Sequence, residues 1–370
     1  MPASAVKPSR PPPMADPVRF ETLAAGLHRV STYHDARAVL ADPGFIHWLA
    51  RDGAANPTAA AIGRWLDAMD PRHGHPARTS VLRALSSSAS QAHRPELERL
   101  AEALLTQSDE TGSIDVDQGY GRPLTRALVA QVLGLTDQRD ALDRLVDSLG
   151  DQIPGALFPM MGRACDPAFF AAWNDLANQA APGSLGAALS EDLTASGRSE
   201  DLGIYAAMFA FAATDNIARF IARAAHGLAA WPETWRALAA EPSGLQAALE
   251  EWLRFSPPLG FVHLIARGDT ADTEVHAGDS ILVALEPANR DPAVFEDPDR
   301  FDPARNPRHL AFGSGPLACV GASVARMLAQ VAISRLLAWG SPQGTAPAFP
   351  HLRLNRSLQP RSGALADAIT

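Results

Sequence analysis

A mainly helical chain with a small β portion is what this sequence predicts, and three observations predict it. Residues 199 to 231 form one long run whose centre, "IYAAMFAFAATDNIARFIA", is apolar all round, as in a helix buried through a large domain. "SGLQAALEEWLRF" and Ala322 to Trp339 carry apolar residues at helical spacing, the first stopped by Pro257 and Pro258. Strand character is confined to short segments, "LHRVS", "FVHLIA" and "DSILVALE", and two of the three lie in the C-terminal half.

The elements follow in order. Residues 1–17 are proline-rich and predicted flexible, and residues 18–370 are predicted to form a single domain. After "LHRVS" a helix runs through "YHDARAVLADP" and ends near Pro43. Residues 46 to 70 read as helical, then "MDPRHGHP" breaks the pattern before helix from Ala77 to about Ala84. Two helical patterns between Arg94 and Leu135 flank the glycine-bearing "DETGSIDVDQGYGRP", and 136 to 198 is helix-rich. Ser199, with acids behind it, is the expected N-cap of the long helix, which runs to Trp231 before Pro232. "PANRDPAVFEDPDRFDPARNPRHL" is irregular, and the tail "HLRLNRSLQPRSGAL" reads as a hairpin.

Composition excludes several functions. With 46% hydrophobic and 20% charged residues the chain is globular. Its net charge of −9 argues against nucleic acid, which needs a basic face. There is no signal peptide and no apolar run long enough to span a bilayer, so no membrane partner is expected. Two cysteines make no disulfide framework, and the expected compartment is the reducing cytoplasm. Cys165 is expected in the core. The histidines lack zinc-like spacing, and no Walker or dinucleotide glycine pattern occurs.

Cys319 stands apart. A thiolate is a strong, soft metal ligand that needs N–H donors and a positive neighbour. Glycines at 313, 315 and 321 let backbone approach a flat ligand, and a helix starting just after the cysteine favours negative charge on sulfur. Metal or haem ligation and nucleophilic attack both use such a cysteine. A lone cysteine beside a glycine turn is also common as simple packing.

The spacing decides among these. "FGSGPLACVG" (Phe312, Gly313, Gly315, Cys319, Gly321) resembles the haem-binding loop of the cytochrome P450 family, Phe-Gly-x-Gly-x-His/Arg-x-Cys-x-Gly, at five of six fixed positions. "EWLR" supplies Glu251 and Arg254, a pair which in that family joins an Arg of the "PDRF" segment, here Arg300, in a buried network. "ANRDPAVFEDPDRFDP", "VSTYHDARAVLADPGF" and "MDPRHGHPAR" resemble further family segments in the right order. The resemblance covers most of residues 18 to 365. It implies the cytochrome P450 fold, a large helical domain with a small β subdomain.

It also implies haem b held by Cys319 as axial iron ligand, with Phe312, Gly313, Gly315 and Gly321 shaping the loop. Arg78 and His263 are implied cofactor-binding residues. Asp215 and Asn216 fall on the catalytic acid and alcohol positions of the long helix. The implied activity is oxidation of a small organic substrate, free or carrier-bound, in bacterial secondary metabolism. Electrons would come from a ferredoxin or flavodoxin and its reductase, with NAD(P)H acting only through them. Arg83, Arg305, Arg308 and Arg326 are candidates for the docking face.

Three departures qualify the resemblance. Asn216 replaces an alcohol, and an amide cannot hand on a proton as a hydroxyl does; Thr214 faces elsewhere on the helix. The positions that hold the haem propionates read Gly74, Leu264 and Leu317, leaving Arg78, with His73, His75 and His263 as replacements. The segment between "DPRHG" and the long helix is compact, suggesting a short lid. Alternatives to hydroxylation are therefore oxidative coupling or desaturation, a peroxide-driven reaction, or a catalytically idle binding protein.

Overall fold

The computed structural model describes residues 18–47, 57–111, 114–157, 166–270 and 273–340. Cys165 and the expected C-terminal hairpin lie outside them.

Five short strands make one sheet: β1 (Glu21–Ala24), β2 (Leu27–Val30), β3 (Phe45–His47), β4 (Phe261–Ala266) and β5 (Ser280–Ala284). Their order is β1-β2-β5-β4-β3, with β2 and β5 parallel and the other pairs antiparallel. Between β2 and β3 runs α1 (Tyr33–Ala41), capped by Thr32, whose Oγ1 accepts from the Asp35 amide and donates to the Asp35 carboxylate at 2.6 Å. β3 corrects the expectation of helix from residue 46. It registers Phe45 against Ala266 and His47 against Leu264. Three residues are too few for a periodicity to show, and only the partner strand makes them β. Val30, Val39, Phe45, Leu264 and Val283 form the core beneath this sheet, and Leu317 packs against it.

The helical part contains α2 (Pro57–Met69), α3 (Pro76–Ala84), α4 (Ser87–Thr111), α5 (Arg122–Leu133), α6 (Arg139–Leu157), α7 (Pro167–Ala177) and α8 (Leu185–Ala195). It continues with α9 (Leu202–Ala229), α10 (Pro232–Ala240), α11 (Leu245–Phe255), the short α12 (Leu285–Ala288) and α13 (Ala322–Trp339). Most of α9 is buried, and α5, α7 and α13 pack around it. Its cap is Asp201, not Ser199, which opens a 3-10 turn one step earlier. Asp201 is buried and held there by Arg64 of α2 at 2.7 and 2.5 Å, so the start of α9 is tied to the helix flanking the cavity described below. "VDQGYG" at 116–121 forms a π-turn leading into α5. Among the described residues no helix is long and apolar enough to cross a membrane.

One ionic network sits in the core. Arg254 donates from Nε and Nη2 to both carboxylate oxygens of Glu251 at 2.8 Å, and neither side chain is exposed. The same guanidinium reaches the carbonyls of Asn289, Pro298 and Arg300 at 3.1, 2.8 and 3.2 Å. The third cation is Arg305, whose Nε lies 3.1 Å from Glu251, and not Arg300. Arg300 offers only its carbonyl, and its side chain is on the exposed side of the segment. This pins the irregular 289–305 stretch to α11, directly upstream of the cysteine loop.

Candidate functional site

The cysteine loop is a tight fold imposed by glycine. Gly313 (φ 70°) and Gly315 (φ 60°) occupy the left-handed region. A Cβ at Gly313 would lie 2.7 Å from the Leu317 carbonyl, and one at Gly315 would lie 2.9 Å from Ala41 of α1. The loop is closed by Gly313 N–H to the Leu310 carbonyl and Cys319 N–H to the Phe312 carbonyl, each 2.8 Å. α13 starts three residues after the cysteine, and the Gly321 N–H donates to the Cys319 sulfur. Cys319 is exposed and lines a cavity. Burial raises the thiol pKa; the Gly321 N–H and the positive charge of Arg326 oppose it without cancelling it.

Behind the loop a polar cluster fixes Phe312. Arg326 of α13 lies over the Phe312 ring, 4.4 Å from its centroid, and donates to both oxygens of Glu250 at 2.7 and 2.8 Å. His309 accepts from the Ala311 amide at Nδ1, so Nε2 carries the proton and donates to Glu250 at 3.2 Å. Burial disfavours the Glu250 carboxylate, but the hydrogen bonds from His309 and Arg326 and the Arg326 charge outweigh it, leaving its pKa at about 2. Folded-state depression means the stabilisation is present above the unfolded value near 4.5 and is lost as pH falls toward 2. The advantage of the native chain over Glu250→Gln in denaturant titrations should therefore shrink steadily between pH 5 and 2, from a ceiling of about 3 kcal/mol.

The cavity has a volume of about 920 Å³. Its walls are the cysteine loop, α2, the β3–β4 edge and, from α9, Ala212. Asp215 and Asn216 do not line it. Asp215 is engaged by Arg122 at 3.0 Å and Arg219 at 2.7 Å. Asn216, one turn beyond Ala212 on the same face, donates its amide to the Ala212 carbonyl at 3.2 Å. Thr214 is buried and donates to the Ala210 carbonyl at 2.7 Å, so it offers no replacement hydroxyl.

The expected carboxylate partners are scattered. Arg78 donates to the Met69 carbonyl at 2.9 Å and stands outside the cavity wall. His75 caps α3, accepting from Ala77. His73 does line the cavity but is tied to Asp67 at 2.9 Å. His263 is half-buried, its pKa lowered by burial, and is not part of the wall. Sequence reasoning missed His47, which is; Arg267, which the sequence places near the Leu264 position, lines the cavity as well. Burial, and secondarily His263, hold His47 down to about 4. Of the docking candidates, Arg305 and Arg326 are engaged by Glu251 and Glu250, whereas Arg83 and Arg308 are exposed.

These residues fit a haem. A sulfur open to a roomy cavity, an N–H donating to it, glycines that let the backbone lie close and a small alanine contributed to the wall by α9 suit a flat metallocycle with a thiolate ligand. Comparison with known proteins agrees. The family model for cytochrome P450 matches residues 243–339. The chain is 31% identical to nocardicin C N-oxygenase of Nocardia uniformis subsp. tsuyamanensis, over 88% of this chain and 82% of that protein. It is 30% identical to cytochrome P450 monooxygenase PikC of Streptomyces venezuelae, over 82% and 76%. Among solved structures, P450BioI in complex with an acyl carrier protein ligated to hexadec-9Z-enoic acid superposes with a TM-score of 0.72 at 24% identity, covering 84% of each chain. The chain belongs to the cytochrome P450 family, and is an oxidoreductase of the monooxygenase type.

Proposed function

We propose that this chain is a haem-thiolate enzyme that oxidises a small organic molecule, free or carrier-bound, by two electrons, with haem b held at Cys319. The observation that supports this most is Cys319 at the wall of a cavity that Ala212 of the long helix α9 also lines. Bound haem supplies reductive activation of O2. The chain's own groups then have distinct tasks. Gly321 N–H and Arg326 favour negative charge on Cys319, and the Glu251–Arg254–Arg305 network keeps the loop in register. Apolar wall residues such as Trp65, Leu66 and Ile265 exclude water from the reacting centre. Relatives named as a nocardicin C N-oxygenase and a monooxygenase support oxygen insertion. Electrons would arrive from a ferredoxin or flavodoxin on the face carrying Arg83 and Arg308.

A second reading, coupling or desaturation of the substrate, is favoured by one feature. Asn216 cannot relay a proton, and its N–H is directed at the Ala212 carbonyl. Turnover with ferredoxin, reductase and NADPH should give a product one oxygen heavier than substrate; a product two hydrogens lighter assigns the second reading, and turnover with peroxide alone a peroxide-driven one. Absence of all three with tight substrate binding would point to an idle binding protein. Asn216→Thr is expected to raise product formed per NADPH several-fold if proton delivery limits the native chain. An unchanged ratio would remove that step from the account.

A further inference from the structure

Helix α11 carries two adjacent carboxylates, and the core network uses only one of them. Consecutive helical residues point about 100° apart. Glu251 therefore turns inward to Arg254 and Arg305, while Glu250 turns to His309 of the cysteine loop and Arg326 of α13. Those two partners of Glu250 are also the groups set around the Phe312 ring. The Arg326 guanidinium lies 4.4 Å from the ring centroid, and the His309 ring stands 6.0 Å from it, tilted by 48°. Phe312 in turn accepts the Cys319 N–H at its carbonyl, at 2.8 Å. Glu250 is thus joined to the sulfur-bearing residue through the ring that its two partners hold.

A second connection is electrostatic. Arg326 is the one side-chain charge that acts on Cys319 among the described residues. It does not act alone, because both oxygens of Glu250 accept from it at 2.7 and 2.8 Å. A cation and an anion held in such a fork largely cancel at a distance, so the carboxylate decides how much of the guanidinium charge the sulfur feels. Groups behind a metal ligand are the protein's lever on the metal's potential, and positive charge there favours an arriving electron. We infer that Glu250 is a positioning residue for the oxidation: through Arg326 and His309 it fixes the Phe312 ring and limits the positive charge at Cys319, and so sets the reduction potential of the bound haem. This rests on the haem-thiolate reading above.

The test is the reduction potential of the haem-loaded chain, read by optical titration with neither substrate nor turnover. Glu250→Gln keeps the side-chain shape and leaves the Arg326 cation uncompensated. The ratio of reduced to oxidised protein at a fixed potential should rise about tenfold, which is about 59 mV for one electron. Arg326→Gln leaves the carboxylate instead and should lower the ratio by a similar factor. The double variant, Glu250→Gln with Arg326→Gln, carries neither charge and should return close to the native value. Arg326→Lys keeps the charge while losing the fork, and should also stay close to it. A merely structural role would move all of these variants in one direction, by loosening the loop. The reduced, CO-bound spectrum is the control for an intact cysteine loop, and where Glu250→Gln fails it, Arg326→Gln against Arg326→Lys decides. Shifts of one sign in Glu250→Gln and Arg326→Gln, or a native potential in Arg326→Gln, overturn the inference and leave the haem-thiolate reading standing. A native chain that takes up no haem overturns both.

Discussion

Arg254→Leu should cost about 3–5 kcal/mol of stability, enough to leave much of the chain unfolded. The variant removes a cation from complete burial and strands the Glu251 carboxylate, together with the carbonyls of Asn289, Pro298 and Arg300. Arg305 would remain 3.1 Å from Glu251 but can satisfy only part of its demand. The damage should travel along the chain, because the same guanidinium fixes the segment that delivers the cysteine loop. Denaturant midpoints measure it. In a double-mutant cycle, Glu251→Leu with Arg254→Leu should be less destabilised than the sum of the two single variants, since the stranded charge is gone. Arg300→Leu, by contrast, should change stability by less than about 0.5 kcal/mol, because its side chain is exposed and only its carbonyl enters the network. Strong destabilisation by Arg300→Leu would contradict the assignment of Arg305.

Cys319→Ala should abolish substrate oxidation while leaving the fold intact. The sulfur lines an open wall and contributes little packing, so the thermal transition of the haem-free protein should shift by only a degree or two. What the variant loses is the one sulfhydryl ligand among the described residues that line the cavity. Product formation with ferredoxin, reductase and NADPH should fall to background. Retained oxidation at the native rate would show that Cys319 is not the ligand.

How far the sequence could be read depends on the distance over which each feature is determined. The cysteine loop was legible because its geometry is local. Two glycines in the left-handed region, a cysteine and a helix start within ten residues leave few foldings, and α13 begins at Ala322 as its pattern predicts. α9 was legible through its length and unbroken apolarity. Its first turn was not, because Asp201 at the N-cap position makes no capping hydrogen bond with its side chain and is held instead by Arg64, 137 residues earlier. Arg300 and Arg305 lie five residues apart in one irregular segment, and nothing in the local text says which guanidinium reaches Glu251. His47 was hidden for a similar reason. It belongs to a three-residue strand inside apparently helical text, and the residue it pairs with, Leu264, is more than two hundred residues away. Asp215 and Asn216 were singled out by their position on α9, and neither lines the cavity. It is the fold that brings Arg122 and Arg219 to the first and turns the amide of the second to its own helix.

The central claim is that Cys319 binds haem iron as a thiolate, and the optical spectrum of the reduced, CO-bound, haem-loaded chain tests it most directly. The account predicts a strongly red-shifted Soret band, the signature of sulfur donating negative charge to the metal. A Soret band at the ordinary position would contradict it, because the sulfur would then be protonated or displaced from the iron.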